Sequence, residues 1–186
     1  MSLQFAILGL LTFEPMSGYT LKTRYFDRSV AHFWPADQSQ IYRTLQSLER
    51  SGEVEGHIVA SDTRPKSRLY AITEAGRTAL VAWLAQDRPV AVQRDDFLVQ
   101  LYFARLLSRD QVLAMLQARL DQHVRQRDYF DTLEIPEATS DEMRRQIVFG
   151  GLTLDFARRR ERMMIAWIEA CIAEISGLPD AGSPFA

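Results

Sequence analysis

The clearest pattern along the chain is a helix whose two faces differ sharply in polarity. Between Asp37 and Gly52 the apolar residues recur at spacings of four and three, which is the period of a helix with one buried face. These residues are Ile41, Leu45 and Leu48. Asp37 followed by Gln40 is a pattern that caps a helix N-terminus, and Gly52 ends the helix. The opposite face carries side chains that can hydrogen-bond base edges or phosphates.

A basic hairpin is predicted directly after this helix. Residues 54–59 are rich in β-branched side chains and residues 68–73 alternate in polarity, so both runs are predicted to be strands. Turn-forming residues break the chain between them. Three cations lie at the tip and on the return strand, with no acidic residue between positions 62 and 74. They are Arg64, Lys66 and Arg68. A helix followed by a basic hairpin is typical of a winged helix-turn-helix, and DNA binding is therefore the first hypothesis.

Three further helices complete the predicted N-terminal half. The first runs from Leu3 to about Thr12 and is apolar on almost all sides. The second begins near Ser17 and ends before the aromatic stretch at residues 32–35. After the hairpin, Thr73 is predicted to cap a helix with one apolar stripe. That stripe consists of Leu80, Trp83 and Leu84.

The C-terminal half is predicted to be entirely helical. Residues 95–107 hold more large apolar side chains than one narrow face accommodates, which predicts a buried helix. Ser108 with Gln111 forms a capping box for the next helix. Thr139 with Glu142 is interpreted as the cap of a last helix of ~37 residues, about 55 Å long, that ends near Ile175.

This last helix is predicted to carry the surface through which two copies of the chain associate. It is too long to be covered within a compact monomer, and a strict four-three alternation along it requires an opposing helix. The predicted interface residues are Ile147, Gly150, Leu154, Ala157, Met164, Ile168, Cys171 and Ile175. Glu161 falls on the same seam, where an Arg of a partner could pair with it. The alternative is a helical hairpin packed within one chain.

The predicted fold is therefore mainly α, with two domains. Residues 1–88 form a winged-helix DNA-binding domain, residues 89–180 form an all-α dimerisation domain of about three helices, and residues 181–186 form a flexible tail.

Composition narrows the possible classes of function. The chain has 186 residues, 47% of them apolar, and contains neither an apolar run of membrane-spanning length nor a signal sequence, so a cytoplasmic location is expected. Its single cysteine and its three scattered histidines offer no metal-binding spacing, and no catalytic or cofactor motif is present. We therefore expect no enzymatic activity, cofactor or metal. Residues 1–87 contain nine basic and nine acidic side chains, so a DNA-binding face requires segregation of charge.

Four motifs in the N-terminal half resemble the PadR family of bacterial transcriptional regulators. They are ILGLL at 7–11, P-x-S-G-Y-x-L at 15–21, S-x-I-Y-R-x-L-x-x-L-E at 39–49 and RPKSRLYAITEAG at 64–76. The second half is similar in length and pattern to the helical domain of one PadR branch and of related virulence-gene activators. The resemblance implies a dimeric winged-helix protein, usually a repressor, that binds a two-fold operator. Ser17 and Thr63 replace the His and Gly that are common in the family.

The candidate functional residues form two groups. The predicted DNA-binding residues are Tyr19, Ser39, Gln40, Tyr42, Arg43, Arg64, Lys66 and Arg68. Tyr42 could instead pack against the wing, and Tyr19 could fill the gap between helices. Gln40 and Arg43 could belong to a helix face that is exposed only to solvent, because the sequence of such a face does not differ from that of one that contacts DNA. The aromatic residues Phe33, Trp34 and Trp83 could line a pocket for a small apolar or aromatic effector, although core packing is the alternative.

Three functional hypotheses follow. The first is a dimeric transcription regulator that binds double-stranded DNA. The second adds an effector that changes its DNA binding. The third is a scaffold or protein-interaction dimer that keeps the winged-helix shape without sequence-specific binding, and it is favoured by the neutral charge of residues 1–87.

Overall fold

A computed structural model describes residues 2–61, 64–90 and 94–179, apart from the side chains of residues 60, 61 and 64–66. The chain divides into two compact units, residues 1–90 and residues 91–186. The predicted tail at 181–186 lies outside the described residues, as does Thr63 in the hairpin.

The first unit is a small helical domain with a three-stranded sheet. Its elements are α1 (Ser2–Leu11), β1 (Met16–Ser17), α2 (Gly18–Thr20), a π-helix (Leu21–Ser29), α3 (Gln38–Arg50), β2 (Val54–Ser61), β3 (Arg64–Ile72) and α4 (Glu74–Leu84). The sheet is antiparallel with the order β1-β3-β2. Strand β1 was not predicted from the sequence, because two residues are too few to show a period.

The predicted helix caps of this unit are confirmed. Ser17 Oγ accepts a hydrogen bond from the Thr20 N–H (3.0 Å) at the start of α2, and Thr73 Oγ1 accepts one from the Gly76 N–H (3.1 Å) at the start of α4. Gly52 follows α3 with φ 74°, a left-handed conformation that favours glycine after a helix. The π-helix between Thr20 and Val30 is a feature that sequence period does not indicate, since π-helices are rare.

The core of the first unit lies between α1, α3 and the sheet. Ile41 and Leu45 are fully buried and Leu48 is almost so, which confirms the predicted inner face of α3. The predicted stripe on α4 is wrong at Leu84, which is exposed. The stripe ends one residue earlier, because the contact with α1 is made by Leu80 and by the Trp83 ring, which stacks on Phe5 with centroids 4.6 Å apart.

The second unit is built on a long helical hairpin. Its elements are α5 (Asp96–Tyr102), a 3₁₀ turn (Ala104–Leu106), α6 (Arg109–Asp131) and α7 (Asp141–Ser176). The capping box of Ser108 and Gln111 is present at α6. Helix α7 begins one residue later than predicted, because Ser140 Oγ accepts from the Met143 N–H, while the Thr139 hydroxyl donates to Met143 Sδ.

Helices α6 and α7 pack antiparallel through two apolar clusters. Leu116 of α6 shares one cluster with Ile168, and Phe130 at the end of α6 shares the other with Leu154 and Ala157. These three α7 residues are therefore enclosed within their own chain, and their prediction as dimer contacts is wrong. The alternative, a hairpin within one chain, accounts for them because α6 supplies the opposing helix that the four-three period requires.

The remaining residues of the predicted seam are distributed differently. Cys171 and Ile175 pack at the edge of the cluster that contains Leu116 and Ile168. Met164 is half-buried. Ile147 and Gly150 lie before Leu154 on the same face of α7. Glu161 pairs with His123 and Arg160 of its own chain, so no Arg of a partner is required to neutralise it.

The prediction that residues 95–107 form a buried helix is also wrong. Only Phe97 and Ala104 are buried, because α5 is a helix of seven residues that turns one side toward α6 and α7. The other large apolar side chains of this segment are exposed or half-buried on the single chain. The exposed ones are Leu98, Val99, Tyr102, Phe103 and Leu107.

Candidate nucleic-acid interface

The N-terminal turn of α3 is organised by a capping box. Asp37 Oδ1 accepts hydrogen bonds from the Ser39 hydroxyl and from the Gln40 N–H, both at 2.7 Å, and Gln40 Oε1 accepts from the Asp37 N–H at 3.0 Å. The Ser39 hydroxyl and the Gln40 N–H hold the pKa of the Asp37 carboxyl below its usual value. The Gln40 amide Nε2 is not used in the box, so it can donate to an acceptor in solution.

Tyr42 is positioned by a close contact with the start of α2. A Cβ added at Gly18 would lie 2.7 Å from Tyr42 Cε1, so the ring occupies the space that a side chain would fill. The ring therefore packs on the start of α2. Tyr19, next to Gly18, is 63% exposed and does not fill a gap between helices. The fold thus brings two tyrosines of different helices to one surface.

Arg43 lies on the exposed face of α3, one turn after Ser39. Its Nε donates a long hydrogen bond of 3.3 Å to the Ser39 carbonyl oxygen. A guanidinium held through Nε keeps its two terminal nitrogens as donors, which can bind a phosphate or a guanine. Ser39, Gln40 and Arg43 therefore form a continuous polar surface at the N-terminal half of α3.

The wing is a hairpin of β2 and β3 in which the predicted cations have unequal surroundings. Arg64 and Lys66 belong to β3, and their side chains lie outside the described part of the structure. Arg68 donates from Nη2 to Glu49 Oε1 of α3 at 2.6 Å. The segment around Arg68 contains no acidic residue between positions 62 and 74, but the fold brings one in from 19 residues earlier in the chain.

The three aromatic residues predicted to line an effector pocket are not found together in a described cavity. Trp83 stacks on Phe5 and has the Arg88 guanidinium over its ring at 4.5 Å, while Phe33 meets the edge of His32. A cleft of about 530 Å³ lies between the π-helix and α3, and none of the three borders it. It is lined by Lys22, Phe26, Asp27, Ala31, Pro35, Ala36, Asp37 and Gln40.

A second cleft, of about 540 Å³, lies between α5 and α6 in the second unit. The Arg119 guanidinium lies over the Phe97 ring at 4.9 Å, and its Nη2 is 3.6 Å from Asp95 Oδ2. Among the described residues, Arg119 Nε is buried without a hydrogen-bond partner. The full lining is Arg94, Asp95, Asp96, Phe97, Gln100, Met115, Ala118, Arg119 and Gln122. No motif in the sequence indicated this site, since its residues come from two helices.

Features of other functional classes are not seen in the described ranges. No group of three or more His, Cys, Asp or Glu residues in those ranges is arranged to hold a metal ion. Burial raises the pKa of the Cys171 thiol, which disfavours the reactive thiolate. Within the same ranges, the helices are either too short or too polar to cross a membrane.

Comparison with known proteins identifies the two halves separately. Residues 7–82 match the family described as "Transcriptional regulator PadR-like family", and residues 93–176 match "Virulence activator alpha C-term". The negative transcriptional regulator PadR of Bacillus subtilis is 30% identical over 177 residues, which cover 93% of this chain and 97% of that protein.

Solved structures extend this similarity to the fold. B. subtilis PadR in complex with operator DNA has a TM-score of 0.80 at 28% identity, covering 94% of this chain and 99% of that one. The same protein in complex with p-coumaric acid has a TM-score of 0.74, with 95% and 99% covered, at 28% identity. The Vibrio cholerae virulence activator AphA has a TM-score of 0.76 at 25% identity, with 96% and 100% covered.

These matches confirm the resemblance stated from the sequence motifs and the predicted fold, a winged helix followed by a helical region. They also agree with the expectation that the chain is not an enzyme, since the relatives are transcriptional regulators. The chain belongs to the PadR-like family of transcriptional regulators.

Proposed function

We propose that this regulator is a dimeric repressor that binds a two-fold operator and is released by a small aromatic acid. The observation that carries the proposal is the nearly full-length match to a negative regulator whose fold is also known in complex with operator DNA. The exposed polar face of α3, next to a basic wing, supports the same function in this chain. Since such a protein acts on chromosomal DNA, we place it in the cytoplasm.

The surface proposed to contact DNA combines α3, the start of α2 and the wing. Ser39, Gln40 and Arg43 would face the major groove, and the tyrosines at 19 and 42 would reach the sugar-phosphate backbone. Arg64 and Lys66 would bind phosphates beside the groove. Residues 1–87 have no excess of positive charge, so the affinity of one copy for DNA would be modest. Joining two copies would make the second contact intramolecular.

Replacing both Arg64 and Lys66 by Ala should weaken binding to DNA from upstream of the protein's own gene. Each phosphate that is no longer neutralised should reduce the slope of log K against log salt by about one. Both protomers of the proposed dimer carry the two substitutions, so the slope of the double variant should fall by about four. Fluorescence titration at several salt concentrations measures this slope. Arg77→Ala, an exposed cation on α4, is the matched control and should leave the slope unchanged. An unaltered slope in the double variant would contradict the wing assignment, and equal weak binding to any duplex would favour the scaffold hypothesis.

The face of α7 that points away from α6 is the proposed dimer surface. It carries large apolar side chains that are between 53% and 67% exposed on the single chain. They are Val148, Phe149, Leu152, Phe156 and Met163. Phe149, Leu152, Phe156 and Met163 follow spacings of three, four and seven, which is the period of a helix pair. A two-fold operator requires a two-fold protein, so we assign a second copy of the chain to this face.

The cleft beside Arg119 is the proposed effector site. A guanidinium over an aromatic ring, with one buried N–H free among the described residues, can pair with the carboxylate of an aromatic acid. Phe97 and Met115 give the cleft an apolar wall for the ring of the acid. The complex of the related PadR with p-coumaric acid supports this ligand class.

Isothermal titration with p-coumaric acid tests the site. We expect Arg119→Met to weaken binding by about tenfold or more, because a hydrogen-bonded charge pair contributes on the order of 1.5–3 kcal/mol. Arg125→Met, an exposed position later in the same helix, should bind as the unmodified protein does. If the acid does not bind the unmodified protein, or binds Arg119→Met with unchanged affinity, this assignment of the effector site is wrong.

A further inference from the structure

Three elements of the first unit meet at the carboxylate of Glu49. This residue lies in the last turn of α3, and its Oε1 accepts a hydrogen bond from Arg68 Nη2 of β3 at 2.6 Å. The same oxygen accepts from the Gly56 N–H of β2 at 3.1 Å. One oxygen atom of α3 is thus bonded to both strands of the wing.

The contact of Glu49 with Arg68 and Gly56, here called the junction, leaves no room for a side chain at position 56. A Cβ at Gly56 would lie 2.5 Å from Arg68 Nε and 2.6 Å from Glu49 Oε1, both well inside ordinary contact distance. On β3, the Arg68 guanidinium also lies over the ring of Tyr70 at 5.5 Å, and Tyr70 is the residue that pairs with Gly56 across the sheet. Arg68 is therefore held from two sides, with its planar group directed toward α3 and not along the wing.

This ion pair is too accessible to contribute much to folding. The Arg68 side chain is 50% exposed and that of Glu49 is 27% exposed, and pairs of this kind contribute little to stability. Its geometric effect is larger. Strand β1 pairs with β3 at Tyr70 and Leu69, and from Arg68 toward the tip the pairing described is that of β2 with β3, which has few contacts of its own to set its angle to the rest of the domain. The junction lies at the base of the wing, so a small rotation there displaces the tip.

We propose that Glu49 is a positioning residue that sets the wing against the recognition helix α3 through Arg68 and Gly56, and that Arg68 acts through Glu49 and not on a DNA phosphate. This inference rests on the proposed DNA binding. It assigns two different roles to the three cations of the wing. Arg64 and Lys66 contact the backbone of DNA, and Arg68 fixes the orientation of the hairpin that carries them.

The salt dependence of DNA binding distinguishes positioning from contact. For Arg68→Ala we expect about tenfold weaker binding, or about 1.4 kcal/mol, because the wing is no longer held in the orientation that contacts DNA. The slope of log K against log salt should not change, since Arg68 itself neutralises no phosphate. A slope reduced by about two, one for each protomer of the proposed dimer, would show that Arg68 binds a phosphate and would overturn the inference. For Glu49→Gln we expect the same decrease with the same slope. Tighter binding with a steeper slope would mean that Glu49 only masks the charge of Arg68, and would also overturn it.

A double-variant cycle tests whether the two residues act as a unit. The combined variant Glu49→Gln with Arg68→Ala should bind no more weakly than either single variant, whereas independent roles would make the decreases multiply. Thermal unfolding should shift by no more than a few degrees in all three proteins, as expected of a half-exposed pair. A large shift would assign the pair to stability and would contradict the positioning role.

The Arg64→Ala, Lys66→Ala variant separates this inference from the proposed function. If the slope falls in that variant and also in Arg68→Ala, DNA binding by the wing stands and only the role of Glu49 is wrong. If the unmodified protein shows no salt-dependent binding to any duplex, the proposed function itself is wrong.

Discussion

Replacing Leu152 and Phe156 by Glu should convert the proposed dimer to a monomer and weaken operator binding by about two to four orders of magnitude. The size of the effect follows from avidity, because a linked second winged-helix unit binds at high effective concentration and an unlinked one does not. The two side chains are mostly exposed on the single chain, so their replacement leaves both apolar clusters of the α6–α7 hairpin intact. In the dimer, however, the introduced carboxylates would be buried between the two helices, which is strongly unfavourable for association.

Sedimentation velocity measures the first effect and operator titration the second. The matched control is Gln146→Glu with Ser176→Glu, which adds the same charge at exposed positions of α7 that do not fall on the heptad positions of Phe149 and Leu152. It should remain a dimer and bind normally. Circular dichroism checks that the monomer keeps its helices, since some dimers have no stable folded monomer. A dimer that persists in the Leu152, Phe156 variant would show that the partner copy binds elsewhere, for instance on the exposed apolar side of α5.

Glu161→Ala should lower the free energy of unfolding by about 2–3 kcal/mol, because it leaves the buried ring of His123 without its hydrogen-bond partner. Glu161 is 2% exposed, and its Oε2 lies 2.5 Å from His123 Nδ1, while its Oε1 accepts from Arg160 Nη2 at 2.9 Å. The pair stands between the two apolar clusters of the hairpin, where His123 Nε2 is also buried without a partner among the described residues. Removing the carboxylate would leave an imidazole in the core with nothing to bond.

Urea unfolding, followed by the helical circular dichroism signal at fixed protein concentration, measures this cost. Asp155→Ala is the control, since Asp155 pairs with Arg159 at 2.7 Å on the exposed surface of the same helix and should cost at most about 1 kcal/mol. Replacing His123 and Glu161 together by Leu should recover most of the stability, as an apolar pair needs no compensation. Equal effects of Glu161→Ala and Asp155→Ala would show that the buried pair is not structurally important.

Only part of the candidate site could be predicted from the sequence. The capping box of Asp37, the inner face of α3 and the basic residues of the wing are local features, and each could be identified within about ten residues of chain. The pairing of Arg68 with Glu49 could not, because nothing in the sequence shows that the return strand passes the last turn of α3. The contact of Tyr42 with Gly18 is similar, since it joins residues of two helices.

Residue spacing and local capping patterns were sufficient to predict most of the helices, their caps and the hairpin, because these features depend on side chains within a few positions of one another. The family was indicated by the resemblance of four sequence motifs. The spacing also showed that α7 needs an opposing helix, but the identity of that helix became clear only from the folded chain. Helix α7 carries two apolar stripes, one through Leu154 and Ile168 and one through Leu152 and Phe156, and a period does not tell which stripe meets α6. The path of the chain between α6 and α7 buries the first stripe and leaves the second exposed.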